Sequence, residues 1–311
     1  MEIGRGFMGL GYMISYRFAF VLLVVIGAAC GDDASPGWDV EEDVDVEPER
    51  WVKVSIAWTY ACGLTTLGNV HCWGDFSTVQ EVSLSGLFQD VEVGSHHVCG
   101  LGLGGDVVCR GDFVVSPPTG KFIQISSGPA HSCGVLETGE GLCWGLDADN
   151  RLDVPNDIFK SISAGEFHSC GITQHDDVVC WGEDISPGDN LSFGQASPPS
   201  GRFKWLSSGQ FSTCAINYEN KIICWGRWEE RYFPAGEYIV VDVMHGSVCA
   251  IRLDGALVCE GHINGTDDEP TPPPEGRFVQ VSVDSDAACA VTEDYEIICW
   301  GRFAPLDIPS L

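Results

Sequence analysis

HSCGVLETGEGLCWG, residues 131–145, sets the architecture. Cys133 and Cys143 stand ten positions apart around Gly139, with His131 ahead of the first and Trp144 behind the second. The same ten-residue spacing recurs six times: Cys62 with Cys72, Cys99 with Cys109, Cys170 with Cys180, Cys214 with Cys224, Cys249 with Cys259 and Cys289 with Cys299. Successive first cysteines lie 37, 34, 37, 44, 35 and 40 residues apart. A supersecondary unit copied at this period cannot bury its faces alone and must stack on its neighbours.

The pattern extends on both sides of each pair. Ahead of it come an aromatic and a strand, as in Phe122-Ile-Gln-Ile-Ser, Phe159-Lys-Ser-Ile-Ser and Phe278-Val-Gln-Val-Ser, then a glycine at Gly94, Gly128, Gly165 or Gly209. Met244 and Asp284 replace that glycine in copies six and seven. Cys-Trp-Gly closes five copies, and Pro/Gly linkers such as Pro117-Pro-Thr-Gly and Pro198-Pro-Ser-Gly lead to the next aromatic. Units of three to four short strands stacked radially would leave only short edges exposed. Leu306-Asp-Ile-Pro-Ser repeats Leu152-Asp-Val-Pro-Asn, so the C-terminal tail should pack with the copy that starts at Trp51 and close a ring. An open solenoid is the alternative.

Over residues 51–311 the chain resembles the short, cysteine-paired form of the regulator-of-chromosome-condensation repeat. Gly194-Gln-Ala-Ser-Pro-Pro-Ser-Gly-Arg-Phe203 and Trp144-Gly-Leu-Asp-Ala-Asp-Asn150 are similar to that family's linker and post-Trp segments. The resemblance implies an all-β, seven-bladed β-propeller.

Counting from each first cysteine as zero, the simplest hairpin loop covers positions four to six, with the last residue left-handed and therefore Gly, Asn or Asp. Gly68, Gly105, Gly139, Asp176, Asn220 and Gly255 fit, and Tyr295 departs. Pairing outward from this turn puts the two cysteines at a non-hydrogen-bonded site, with Cα atoms about 4.5 Å apart and within reach of a disulfide. Seven intra-hairpin disulfides are expected, each contributing about 2–3 kcal/mol. Reduced, buried thiols are the competing reading. A zinc site is disfavoured, because ring-spaced pairs do not converge and CxxC knuckles are absent.

Composition bounds the address. The net charge is −29, and residues 51–311 carry 13 basic against 35 acidic side chains. Such a surface repels phosphate backbones, which argues against nucleic acid. Arg5 and Arg17 precede the apolar run Phe18–Ala29, too short to span a bilayer but suited to a signal peptide over residues 1–29. Ile26-Gly27-Ala28-Ala29-Cys30 resembles a bacterial lipobox, making Cys30 the expected lipid attachment site; Met8 or Met13 would serve equally well as a start. Residues 31–50 hold nine acids and little to bury, so the segment from the lipidated Cys30 to residue 50 reads as an acidic, disordered tether. The propeller then occupies 51–311.

No nucleophile motif, HExxH or phosphate loop occurs, and no catalytic residue, metal or cofactor is expected. His97, His131 and His168 recur and read as blade-building; so do Trp73, Trp144, Trp181, Trp225 and Trp300. Asp147, Asp149, Asn150 and Asp153 hold only part of a calcium-loop pattern. Asn264-Gly-Thr266 is a glycosylation sequon that a bacterial lipoprotein would not use. Unrepeated segments carry the better functional signal: residues 183–202, residues 262–277 and residues 227–233. In the last, Arg227, Trp228, Arg231, Tyr232 and Phe233 are types enriched at binding hot spots. The expectation is a monomeric, non-catalytic envelope lipoprotein, held to the membrane only by lipid, that presents loops to a protein or glycan. A secreted inhibitor of an extracellular enzyme is the alternative, since one bacterial propeller of this repeat type inhibits β-lactamases; a propeller lyase is more remote. The family's name suggests nucleotide exchange on a nuclear small GTPase and chromatin binding, and export, acidity and disulfides argue against both.

Overall fold

The computed structural model describes residues 48–75, 83–112, 116–148, 150–184, 193–227, 233–261, 263, 272–301 and 308–311. The expected signal peptide, Cys30 and most of the tether lie outside these. A compact unit spans Glu47–Leu311. Among the described residues it contains seven three-stranded antiparallel sheets, the blades, at Trp51–Gly74, Phe88–Gly111, Phe122–Gly145, Phe159–Gly182, Phe203–Gly226, Tyr238–Gly261 and Phe278–Gly301. Each blade runs inner, middle, outer strand. In blade 3 these are Phe122–Ser127, His131–Leu136 and Gly141–Gly145. The inner strands neighbour one another around a central channel, blade 7 against blade 1 included. The ring is therefore closed.

An irregularity common to all the repeats explains the strand pattern. Phe122 and Ile125 are three residues apart, which in a regular strand would send them to opposite faces. A bulge between Phe122 and Gln124 brings both onto the same face, and every inner strand has the bulge at the same place. The shared face packs on the preceding blade. Phe122, Ile125 and Trp144 of blade 3 bury against Cys99, Leu101 and Cys109 of blade 2. Phe159, Ile162 and Trp181 of blade 4 bury likewise against Cys133 and Val135 of blade 3. Among the described residues there are seven such cores, one per interface, and in the last Trp51, Val54 and Trp73 meet Cys289, Val291 and Ile297. Ile308, from the tail, packs into that final core as Val154 packs into the one around Phe159.

The hairpins follow the turn arithmetic. In all seven the residue at position three donates to the carbonyl at position seven, as Thr65 N does to Asn69 O at 3.0 Å and Thr292 N to Glu296 O at 2.9 Å. Position six is left-handed in every copy, from φ 61° at Asn220 to 86° at Gly255. Tyr295 adopts φ 65° without the licence of a small residue.

Each hairpin carries a disulfide between directly opposed cysteines. Cys62 is bonded to Cys72, Cys99 to Cys109, Cys133 to Cys143 and Cys170 to Cys180. Cys214 is bonded to Cys224, Cys249 to Cys259 and Cys289 to Cys299. Their Cα atoms sit 4.0–4.1 Å apart, somewhat closer than the expected 4.5 Å. The two members of a pair differ in setting. Every first cysteine is fully buried on a middle strand. On the outer strands Cys109 is buried, whereas Cys72, Cys143, Cys180, Cys224, Cys259 and Cys299 are only half-buried. The competing picture of small apolar thiols packed out of sight therefore fits the first cysteines alone; the bridge accounts for both.

Candidate functional site

The recurrent residues turn out to be the mortar between blades. Nε2 of His97, His131 and His168 lies 2.7, 2.8 and 2.7 Å from the hydroxyl of Ser132, Ser169 and Thr213 in the next blade. Burial holds His97 and His168 near pKa 4 and His131 near 3, so these imidazoles are neutral. Tyr60 takes the same position in blade 1 and donates to Gly94 O at 2.6 Å. The recurrent tryptophans pack on the aromatic that opens their own blade, with ring centroids 5.7 Å apart for Phe122–Trp144 and 5.8 Å for Phe159–Trp181.

The channel wall is equally ordered. The inner-strand residue opposite each first cysteine is Ser55, Glu92, Ser126, Ser163, Ser207, Asp242 or Ser282. Six of these accept the N–H of the next blade's inner strand: Val93, Ala164, Ser208, Val243, Val283 and Ile56 donate to Ser55, Ser126, Ser163, Ser207, Asp242 and Ser282 at 2.8–3.2 Å. Glu92 instead turns to Lys53, whose ammonium also holds Asp90 at 2.5 Å. Burial, which outweighs the attraction of Lys53, together with repulsion from Asp90 pushes the Glu92 carboxyl up to about 7. Burial also raises Asp242.

At the end of the channel away from the hairpin turns, inner and middle strands join through short loops. Here the recurrent glycine has a steric cause. A Cβ on Gly94 would meet Gly128 O at 2.4 Å, on Gly128 would meet Gly165 O at 2.0 Å, and on Gly165 would meet Gly209 O at 2.3 Å. Blades 6, 7 and 1 carry Met244, Asp284 and Ala57 at this level, and unrepeated side chains gather beside them. His245 Nε2 lies 2.8 Å from Glu166 of blade 4 and its Nδ1 3.4 Å from Asp284 of blade 7. Burial opposes its charged form, but pairing with Asp284 and Glu166 outweighs this and raises His245 to about 9. Asp284 also accepts the Trp58 N–H of blade 1 at 2.7 Å, and the Trp58 ring, 59% exposed, stands 6.3 Å from the imidazole. Next to Glu166, Phe167 stacks on Phe211 at 5.2 Å, Phe193 meets Phe211 edge-on at 5.5 Å, and Arg227 lies over Phe193. One mouth thus bears a connected path from Trp58 through His245 and Glu166 to the phenylalanines and Arg227.

The fold divides the binding residues expected from 227–233. Arg227 joins this mouth, whereas Phe233 packs 5.7 Å from Tyr238 in the core between blades 5 and 6. Trp228, Arg231 and Tyr232 lie outside the described residues, as do Asp149, the Asn264 sequon, and parts of 183–202 and 262–277. Beside Asp149, Arg151 is buried and donates to Ala148 O and Glu166 O at 2.7 Å each, so this linker serves the blade junction. Among the described residues no group of three His, Cys, Asp or Glu is placed to hold a metal ion. Trp58, Glu166, His245 and Asp284 were not singled out from sequence as a site; their signal is departure from the repeat.

Comparison with known proteins agrees on the architecture. Residues 159–195, blade 4 and the connection behind it, match the model of the Regulator of chromosome condensation (RCC1) repeat. No curated protein matches the chain. The CRINKLY WD40 ectodomain of the Arabidopsis thaliana receptor kinase ACR4 is similar over 83% of this chain and 98% of its own, at 22% identity and a TM-score of 0.70. The entire ectodomain of the Physcomitrella patens receptor kinase CR4 is similar over 85% of this chain and 76% of its own, at 21% identity and a TM-score of 0.68. Yeast RCC1 (Prp20), in a structure with Kap60, is similar over 81% of this chain and 70% of its own, at 15% identity and a TM-score of 0.50. At these identities the likeness is one of fold.

Proposed function

Because the chain is a propeller of RCC1-like repeats, a scaffold that presents loops, we propose that it is a non-catalytic binding protein that engages a protein partner through the channel mouth bearing Trp58 and Phe211. The observation that carries this reading is the gathering of unrepeated residues there. A seven-fold scaffold has no structural need for an exposed tryptophan, a phenylalanine stack and an arginine on one mouth, and these are residue types that dominate protein interfaces. The yeast neighbours are described with protein partners, Kap60 in one case and Gsp1p and histones in the other. A protein ligand therefore suits the architecture, while the acidic surface and seven disulfides speak for an extracellular one. Export as a lipoprotein completes the proposal: the signal peptide is removed at Cys30, lipid holds Cys30 to a bacterial envelope membrane, and the acidic tether lets a monomeric ring stand off from it.

Two measurements test it. Intact mass of protein from a lipid-processing bacterial host should show acylated Cys30 and fourteen thiols that alkylate only after reduction. Crosslinking on the cell surface should then give a partner that Trp58→Ala and Phe211→Ala both lose while Leu103→Ala, at an exposed hairpin turn, keeps it. An unprocessed N-terminus would overturn the address, and crosslinks indifferent to Trp58 and Phe211 would overturn the binding face.

A further inference from the structure

The central channel holds a cavity of about 470 Å³, lined by the middle of the inner strands and within the range of small-molecule sites. Its wall breaks seven-fold repetition in a chemically ordered way. Five of the seven positions opposite the first cysteines are serines, with Glu92 and Asp242 the exceptions, and at the boundary between blades 1 and 2 Glu92 stands with Lys53 and Asp90. In a ring of seven, the blade facing that boundary across the channel is blade 5. There stands Trp205, lining the cavity and 42% exposed. Its indole N–H is committed to Val241 O of blade 6 at 2.8 Å, so what it offers the lumen is ring surface.

The corresponding positions in blades 3 and 7 show what the scaffold alone requires. Gln124 and Gln280 spend their amides on the neighbouring strand, Gln124 accepting from Ile162 N at 3.0 Å and Gln280 from Val54 N at 3.0 Å. A tryptophan keeps only one of those bonds and leaves an apolar plate facing an ion set. Ser207 donates its hydroxyl proton to Asp242 at 2.7 Å and Ser55 to Glu92 at 3.5 Å, while Ser126, Ser163 and Ser282 each accept an N–H and keep a hydroxyl proton to donate. The cavity therefore combines a flat apolar face, charged donors and acceptors opposite it, and hydroxyls between.

Charge narrows the ligand. An anion would meet Asp90, Glu92 and Asp242, and a cation would meet Lys204 and the Lys53 ammonium lodged between Asp90 and Glu92. A neutral molecule with hydroxyls on its edges and a C–H face satisfies both sides. We propose that the cavity binds a neutral pyranose, its C–H face on Trp205 and its hydroxyls shared among Lys53, Asp90 and Glu92. This site is distinct from the protein-binding mouth, since Trp58, Glu166, Phe211, His245 and Asp284 do not line the cavity.

Saturation-transfer NMR on the intact protein, with glucose, galactose, mannose and N-acetylglucosamine as probes, tests the assignment. Transfer to ring C–H protons is expected from at least one of them. Trp205→Ala should weaken binding by about tenfold or more, Trp205→Phe should largely retain it, and Trp58→Ala should leave it unchanged. Glucosamine and glucuronate should each bind at least about tenfold more weakly than the matching neutral sugar. No transfer from any of the four neutral probes, transfer that survives Trp205→Ala undiminished, or equal binding of a charged sugar would overturn the proposal.

Discussion

The Ser282 hydroxyl accepts the backbone N–H of Ile56 at 3.2 Å, joining blade 7 to blade 1 across 226 positions of chain. Gln280 reinforces it by accepting from Val54 N and donating to Val54 O at 2.9 Å, and Asp284 by accepting from Trp58 N. The last interface is thus built from the same bonds as the others, with the chain's two ends on either side.

Gln280→Ala would strip both polar groups of Val54 of their partner in a buried strand. Leaving buried donors or acceptors unmet costs about 1–3 kcal/mol, so urea unfolding should shift by that amount. Gln89→Ala, which removes only a bond to Gly102 O on the exposed rim, should change stability by no more than about 0.5 kcal/mol. Equal effects would mean the closing contacts are no more important than surface ones.

The glycine collar gives a sharper contrast. Gly128→Ala places a methyl 2.0 Å from Gly165 O, a backbone atom that cannot move without shifting blade 4. A loss of about 3 kcal/mol or more is expected, in the class of overpacked sites. Gly194→Ala meets nothing within 4 Å and carries only the strain of φ 75°, so it should cost about 1 kcal/mol. Thermal unfolding of the two variants decides the order.

Among the seven turns between middle and outer strands, Tyr295 is the one residue of ordinary size forced left-handed. Arg50 lies over its ring at 5.1 Å, which recovers part of the strain. Tyr295→Asn should stabilise the protein by up to about 1 kcal/mol, and Tyr295→Gly by less, because glycine gives the unfolded chain more freedom. A destabilised Asn variant would show the Arg50 contact to be worth more than the strain.

Stability should have an acid limb and an alkaline limb with different owners. His97, His131 and His168 titrate near 4, 3 and 4 when folded, below the ordinary 6.5. The unfolded chain therefore binds more protons beneath pH 6.5. Their contribution is complete above that pH and is lost as pH falls from 6.5 through 4. His245, raised to about 9, acts in reverse: its contribution is complete below 6.5 and is lost as pH rises through 9. Melting temperature against pH should lose steepness between 6.5 and 4 in His131→Asn, and between 6.5 and 9 in His245→Gln.

The scaffold was legible because repetition averages out accident. Seven copies of one spacing located the turns, and the left-handed residue falls where the count placed it even at Tyr295, since the register of the Cys289–Cys299 disulfide outweighs the preference of one side chain. Repetition also separated mortar from function at His131 and Trp144. The sites were hidden by the same logic. Lys53 and Trp205 are distant in sequence and belong to no motif; only the curvature of the ring sets them across one cavity. Residues 227–233 present the opposite case. They are contiguous, yet blade 5 ends at Gly226, so Arg227 stays at the mouth while Phe233 has already reached the next core.

Every interface pairs a disulfide-bearing face with an aromatic-bearing face, always in the same rotational sense. The blades are consequently interchangeable parts: a duplicated copy would present each neighbour with the face it already expects. Growth or loss of a blade then needs no new chemistry at the joints, only a ring able to close at the new size. Blades 6, 7 and 1 are where that freedom has been surrendered, because Asp284, His245 and Trp58 recognise one another individually. Inserting a copy elsewhere would enlarge the channel; inserting one there would dismantle the mouth.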